Sequence, residues 1–184
     1  NLFSKYNSKF TYSAPAPVKD LEGPSIRFLR DSVIGNQRYL TIKISPNRKV
    51  NRYDIFAHEN LTFHNLRTNG VKHINQKGSA FKRNGRKILS YYVTDNEPLE
   101  LQFSVDAKAV LDMELMEASF DLLSNTVFSV PKRENWMMPT PFVLNDAVVV
   151  RQKIKPSFKE EIIPVQISDS LKQAPLNQEI NVQN

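Results

Sequence analysis

The sequence predicts a mostly β protein, built as an antiparallel sandwich of two sheets. Two observations support this prediction: several short segments alternate apolar and polar residues with the period of a strand, and each is bounded by Asn, Gly, Pro or Asp. No long segment has a helical pattern that does not also fit a strand. Short strands separated by turns, without helices to cover a parallel sheet, are typical of two-sheet sandwiches.

The clearest strands are predicted at residues 38–45 and 99–105. In the first, Leu40, Ile42 and Ile44 share one face, and in the second every other residue is apolar. We therefore expect one face of each strand to lie in a core and the other to face water. Further strands are predicted, in chain order, at residues 25–30, 52–57, 61–66, 87–93 and 146–151.

Residues 111–123 fit two patterns. Leu111, Leu115, Ala118 and Leu122 form a helical stripe, and the residue types Leu, Met, Glu and Ala also favour a helix. The same segment fits an alternating strand with a slip of one residue, which is the pattern that an inserted residue produces. Because the neighbouring segments are strands, we predict a strand with a β-bulge.

The chain divides into three parts. Residues 1–24 are polar and spaced by prolines, which favours an extended linker; residues 25–154 hold the predicted sandwich, and residues 155–184 form a polar extended tail. The chain begins with Asn1 and shows no basic-then-apolar leader, so we expect a processed product or a piece of a longer protein.

Composition excludes several classes of protein. The chain has no cysteine, which excludes disulfide scaffolds and thiolate metal sites. Its apolar stretches are interrupted well before the roughly 20 residues that a membrane-spanning helix needs. A chain of 184 residues can bury a single core large enough to fold without a metal or a disulfide.

Positive charge is concentrated in residues 67–87, which we call the basic window. The net charge of the chain is +6, and this window holds cations but no acidic residue. Its cations are Arg67, Lys72, Lys77, Lys82, Arg83, Arg86 and Lys87. A solvated loop is the favoured explanation, and the candidate partners are an anionic lipid surface, an acidic protein face or a peptide substrate. Nucleic acid is unlikely as a partner, because Phe81 is the only aromatic residue in the window.

The sequence shows no catalytic or metal-binding motif. His58, His64 and His73 lack the spacing of a helical zinc site. A nucleophile elbow and a phosphate-binding glycine loop are also absent from the sequence. We therefore predict no catalytic residue, no metal ligand and no cofactor in this chain.

An acidic cluster lies in the segment of ambiguous pattern. Asp112, Glu114 and Glu117 fall within six residues of one another, and the first two share a face in a strand. Nothing in the sequence marks any of them as a tuned acid or base. We interpret the cluster as part of a solvated outer face.

Residues 129–151, SVPKRENWMMPTPFVLNDAVVVR, are the most distinctive stretch. They place the only tryptophan, Trp136, beside Met137 and Met138 and among three prolines. Because prolines fix φ, they rigidify an aromatic loop that either caps the core or presents its side chains to a partner. We favour core capping. This loop and the basic window are the candidate contact surfaces.

Several segments of the chain resemble one protein family. They are the stretch at 129–151, DLLSN at 121–125, SIRFL at 25–29, RYLTIKISPNRKVNRYDIF at 38–56 and TNGV at 68–71. They are similar to the non-catalytic region that follows the membrane helices in bacterial relatives of the endoplasmic-reticulum zinc metallopeptidase. The similarity covers residues 14–154, and PTPFVLNDAVVVR is its most specific part.

The resemblance implies a place in a larger protein. In that family a di-zinc aminopeptidase-type domain comes first, a helical membrane block next, and a soluble β-rich periplasmic or lumenal domain last. The resemblance therefore implies a periplasmic or otherwise extracytoplasmic accessory ectodomain. Such a domain would pack on the peptidase domain or assist substrate selection, with the peptidase and membrane domains of the parent chain as partners. The zinc ligands and the catalytic glutamate belong to the upstream domain, so none is carried over here.

A free-standing carbohydrate- or protein-binding sandwich is the alternative function. Tyr91, Tyr92 and Trp136 offer aromatic faces on which a sugar ring could stack. Aromatic side chains of this kind are more often buried, because each of them buries a large apolar area.

Overall fold

The computed structural model describes residues 15–73, 76–138 and 146–156, and it confirms the mostly β prediction. These residues form two antiparallel sheets and contain no helix. Residues 15–24 of the predicted linker form no strand, and the predicted tail lies outside the described residues from position 157 onward.

The described residues form eleven strands. They are β1 (Ser25–Ile34), β2 (Gln37–Ser45), β3 (Arg52–Ala57), β4 (His64–Thr68), β5 (Val71–Lys72), β6 (Gln76–Lys77), β7 (Ala80–Phe81), β8 (Lys87–Tyr92), β9 (Leu99–Asp106), β10 (Met113–Ser119) and β11 (Val148–Ile154). The seven-stranded sheet has the order β1-β2-β9-β4-β7-β6, with β5 paired to β4. The four-stranded sheet has the order β11-β10-β3-β8.

The core contains the apolar faces of both sheets. On the seven-stranded sheet, Leu40 pairs with Phe103 across the β2–β9 ladder, and all the inward positions of these two central strands alternate with polar ones. On the four-stranded sheet, Ile55 pairs with Leu115, and both are fully buried. Phe63 packs edge-on against Phe103 with 5.0 Å between the ring centroids. Each fully buried aliphatic side chain contributes roughly 1.5–3 kcal/mol, so this core stabilises the fold without a cross-link.

The strand predicted at residues 61–66 begins three residues later, as β4. Leu61 and Phe63 are buried, as the alternating pattern requires. However, the carbonyl oxygen of Leu61 accepts a hydrogen bond from the Arg83 guanidinium, and residues 61–63 form no strand, although the Phe63 carbonyl accepts from the Phe81 amide of β7. The three short strands β5, β6 and β7 were not predicted, because two residues are too few to show an alternation.

The β-bulge predicted within residues 111–123 is wrong. β10 pairs residue for residue with both β3 and β11, without a shift in register. Met113, Leu115 and Glu117 all lie on the inward face of this regular strand. The apparent slip in the sequence arises because a carboxylate occupies a position where the alternation calls for an apolar residue.

Candidate functional site

The structure distributes the cations of the basic window over several elements. Five of the seven are placed as follows: Arg67 on β4, Lys72 on β5, Lys77 on β6, and Lys82 and Arg86 in the loop before β8. Of these, all but Lys77, whose side chain lies outside the description, are exposed. The other two, Arg83 and Lys87, bind groups of the chain itself.

Arg83 holds two loops of the backbone together. Its guanidinium lies over the Phe63 ring, 5.6 Å from the centroid, and its two terminal nitrogens share their four N–H donors among six backbone carbonyls. These carbonyls belong to Ala57, His58, Glu59, Leu61, Gly85 and Arg86. Burial lowers the pKa of Arg83, although a guanidinium stays charged at any pH at which the protein folds. Arg83 is therefore a structural residue.

Lys87 belongs to a charge network on the outer face of the four-stranded sheet. Asp54 Oδ1, in a side chain 1% exposed, lies 3.0 Å from Lys87 Nζ and 2.8 Å from Arg52 Nη2. The Ser90 hydroxyl donates to the same oxygen. Burial raises the pKa of Asp54, but the hydrogen bonds from Arg52, Ser90 and Lys87 outweigh it and hold the pKa below its usual value. Lys87 therefore shares a single carboxylate with Arg52, and only part of its charge is balanced within the domain.

The loop around Trp136 does not cap the core, so the favoured interpretation is wrong. Trp136 is 79% exposed, Met138 is 89% exposed and Met137 is 42% exposed. A turn closed by the hydrogen bond from the Met137 amide to the Glu134 carbonyl carries these side chains outward. Residues 139–145 of the same segment lie outside the described residues. Trp136, Met137 and Met138 therefore expose apolar surface that the described residues do not cover.

The histidines make separate local contacts. His64 Nδ1 lies 3.2 Å from the Ser79 hydroxyl, and His73 Nε2 lies 2.6 Å from the Thr68 hydroxyl. His58 is exposed and accepts a hydrogen bond from the Asn60 amide. Over the described ranges, no group of three or more His, Asp or Glu side chains is placed to hold a metal ion.

The acidic cluster divides between the two faces of β10. Asp112 and Glu114 lie toward solvent, 3.0 Å from Lys153 Nζ and 2.8 Å from Arg151 Nη2. The hydrogen bond and charge of Lys153 lower the pKa of Asp112. The interpretation of Glu117 as a solvated residue is wrong, because its side chain is fully buried.

Glu117 forms a buried ion pair with Arg48. Arg48 Nε lies 2.8 Å from Glu117 Oε1, and Arg48 also donates to the Ser119 hydroxyl. Burial raises the pKa of Glu117 against the opposing attraction of Arg48. Burial and the charge of Glu117 together raise the pKa of Tyr53. Because no substrate can reach a fully buried carboxylate in this conformation, we regard this polar group as a stability element.

The tyrosines of the alternative function lie on two sides of the four-stranded sheet. Tyr92 is 66% exposed, but the Arg52 guanidinium covers its ring at 5.4 Å from the centroid. The Tyr91 hydroxyl accepts a hydrogen bond from Asn69 Nδ2 at 3.0 Å and borders a cavity of about 520 Å³. Trp136 does not line that cavity. The three aromatic residues therefore do not form one stacking surface.

A polar cleft that sequence reasoning missed lies on the outer face of the seven-stranded sheet. It has a volume of about 250 Å³, and we call it the outer cleft. The polar residues along it are Arg30, Tyr39, Thr41, Asn65, Arg67, Gln102 and Ser104. They come from four neighbouring strands, β1, β2, β9 and β4. Only the strand order brings them together, so the sequence offers no local signal for this site.

Within the described ranges, no helix has the length and hydropathy of a membrane-crossing segment. Comparison with protein families, with curated protein sequences and with solved structures finds no match to this chain.

Proposed function

We propose that this chain is the non-catalytic accessory ectodomain of a multi-pass membrane zinc metallopeptidase of the aminopeptidase type. The resemblance of its segments to the region after the membrane helices of that family supports the proposal. In this proposal the domain lies in the periplasm or another extracytoplasmic compartment. Zinc is held by the peptidase domain of the parent protein, and the peptidase and membrane domains are its partners.

The exposed loop around Trp136 is the observation that carries the proposal. Trp136, Met137 and Met138 turn apolar surface toward water although the domain has a well-formed core elsewhere. Aromatic residues and methionine are enriched at protein interfaces, and burying a side chain such as methionine contributes roughly 1.5–3 kcal/mol. Packing of this loop on the peptidase domain would recover that stabilisation. We therefore assign the loop to the contact with the rest of the parent protein.

We assign a second role, electrostatic attraction of anionic partners, to the exposed cations of the basic window. Arg67, Lys72, Lys82 and Arg86 are all exposed and belong to a part of the sequence without acidic residues. Such cations raise the local concentration of an acidic peptide substrate or hold the domain near an anionic lipid surface. Either attraction weakens as salt is added, because the Debye length is only about 8 Å at physiological ionic strength.

The contact between the Trp136 loop and the peptidase domain is tested by weakening it with substitutions in the parent protein. The double variant Trp136→Ser, Met138→Ser should release the ectodomain faster under limited proteolysis, because a polar loop no longer packs on an apolar partner. An immunoblot against this chain follows the released fragment. The same double variant should leave the melting temperature of the isolated chain unchanged, since both side chains are exposed within it.

Val110→Ser is the matched control for this experiment. Val110 is 83% exposed and lies between β9 and β10, away from the Trp136 loop in the sequence. We expect its release rate to equal that of the unmodified parent. Equal release from the double variant and the unmodified parent would contradict the proposed contact, and so would an equally large effect of Val110→Ser.

A further inference from the structure

The outer cleft carries an inference beyond the accessory role, and it does not depend on that role. We propose that the outer cleft binds one unit of an acidic sugar, such as a uronic acid, with its carboxylate held between Arg30 and Arg67. The ligand would lie across β1, β2, β9 and β4, on the face of the seven-stranded sheet turned away from the core.

Arg30 and Arg67 offer the positive charge. Among the residues that the structure describes, neither guanidinium forms an ion pair, whereas Arg38, Arg48 and Arg52 each pair with a carboxylate. Arg30 donates its Nε hydrogen to the Ser32 hydroxyl at 3.0 Å, which leaves its two terminal nitrogens for a ligand. A guanidinium with free donors matches a carboxylate better than any other side chain does.

Two irregularities in the strands place these arginines beside the cleft. The register of β1 shifts between Phe28 and Arg30, and the register of β4 shifts between His64 and Arg67. The second shift contains Asn65, which has a left-handed backbone with φ of 52°. An inserted residue of this kind redirects the side chains that follow it and is common beside functional sites. The two arginines stand three strand spacings apart, about 14 Å between backbones, with the cleft between them.

The floor of the cleft provides groups that suit the hydroxyls of a sugar. Tyr39, Thr41 and Ser104 contribute three side-chain hydroxyls, and Ser104 is only 3% exposed. Within the described residues these hydroxyls form no hydrogen bond. Gln102 Nε2 donates to Glu100 Oε1 at 2.7 Å, which leaves the amide oxygen of Gln102 to accept from a ligand. Buried or half-buried polar groups without partners favour a ligand that satisfies them.

The Arg30 guanidinium covers the Tyr39 ring, 5.2 Å from the centroid. A sugar ring therefore cannot stack on that face, and recognition has to come from hydrogen bonds and charge.

Charge and size favour a small anion. Glu100 accepts a hydrogen bond from Gln102, so one negative charge stands next to the floor and offsets part of the charge of the two arginines. The arginines attract phosphate as well, so preference for a uronate has to come from the hydroxyls of Tyr39, Thr41 and Ser104, which bond to the hydroxyls of a sugar. The cleft volume of about 250 Å³ is below the range of pockets that take drug-sized molecules, and it suits a single monosaccharide unit.

The test is a calorimetric titration of the full 184-residue chain. Glucuronate and galacturonate are the acidic sugars, glucose is the neutral control and inorganic phosphate is the free anion. We expect saturable binding of at least one uronate, with much weaker binding of glucose and of phosphate. Arg30→Gln and Arg67→Gln should each weaken uronate binding by roughly tenfold or more, the effect of losing a charge-assisted hydrogen bond. Both variants should keep the melting temperature of the unmodified chain.

Two control variants distinguish binding in the outer cleft from non-specific attraction of an anion to a positively charged surface. Arg86→Gln removes an exposed cation that does not line the cleft, and it should leave uronate binding unchanged. Ser104→Ala keeps the charge and removes one hydroxyl, so it should weaken binding of the uronate more than binding of phosphate. The proposal is overturned if neither uronate binds saturably, if phosphate binds as tightly as the uronates, or if Arg86→Gln costs as much affinity as Arg67→Gln.

Discussion

Replacing Arg48 with methionine is expected to lower the free energy of unfolding by about 3–5 kcal/mol, the usual result of leaving a buried charge without its partner. Glu117 is fully buried on the inward face of β10, and Arg48 Nε lies 2.8 Å from its carboxylate. Methionine replaces the aliphatic stem of arginine but offers no charge and no donor, so the carboxylate must either stay unpaired or take up a proton.

The loss of stability caused by Arg48→Met should be smaller at mildly acidic pH than at neutral pH. Burial already holds the pKa of Glu117 above its ordinary value of 4.5, and removing Arg48 removes the main opposing attraction. A carboxyl whose pKa is raised by folding contributes its full stability below the unfolded pKa and loses it as pH rises through the folded pKa. The Arg48→Met protein should therefore be closer to the unmodified protein at mildly acidic pH than at neutral pH.

Urea denaturation of both proteins across this pH range measures the effect. The double variant Arg48→Met, Glu117→Gln is the control, because a neutral amide needs no counter-charge; it should recover much of the loss and remove the pH dependence. A deficit that is the same at every pH, or a double variant no more stable than Arg48→Met, would show that the ion pair does not act as described.

Replacing Arg83 with methionine is expected to lower the free energy of unfolding by about 3 kcal/mol or more, since it removes the side-chain donor shared by six backbone carbonyls, of which those of His58 and Arg86 also accept from a backbone amide. The methionine can still pack on Phe63, so the cost comes mainly from the hydrogen bonds. Arg83→Lys should also destabilise the fold, because a single ammonium has three donors and lacks the planar fork of a guanidinium.

Arg86→Met serves as the control for Arg83. Arg86 is exposed and lies three positions away in the same loop, so its replacement should change the free energy of unfolding little. Hydrogen exchange should also quicken in the loop at residues 58–61 when Arg83 is replaced, because Arg83 ties that loop to the turn before β8. Equal stability of the Arg83→Met and Arg86→Met proteins would contradict the structural role of Arg83.

The strands were predictable where the alternation was complete. β2 and β9 pair along their whole length and bury every apolar position that the sequence indicated, because a period of two fixes the face of each side chain. The prediction for β10 failed because of one residue. Glu117 occupies an inward position, and only the fold reveals that Arg48, 69 positions earlier in the chain, neutralises it.

The candidate site was predictable only in part. The sequence indicated that residues around Trp136 and the basic window were distinctive, but local composition could not show that Arg83 is bound by backbone carbonyls or that Trp136 is exposed. Arg30, Thr41 and Gln102 carry no shared motif. They meet on one face because β1, β2 and β9 are neighbours in the sheet, and strand order depends on packing of the whole core.

The proposal that this domain is a non-catalytic part of a larger membrane peptidase is tested on the native polypeptide. An antibody raised against this chain is used to purify its parent from detergent-solubilised membranes of the source cells, for measurement of mass, bound zinc and aminopeptidase activity. We expect a membrane-bound polypeptide much larger than 21.2 kDa, with zinc and chelator-sensitive activity, while the isolated chain retains no zinc and cleaves no peptide. A native species of 21.2 kDa outside the membrane fraction, or chelator-sensitive turnover by the isolated chain, would contradict it.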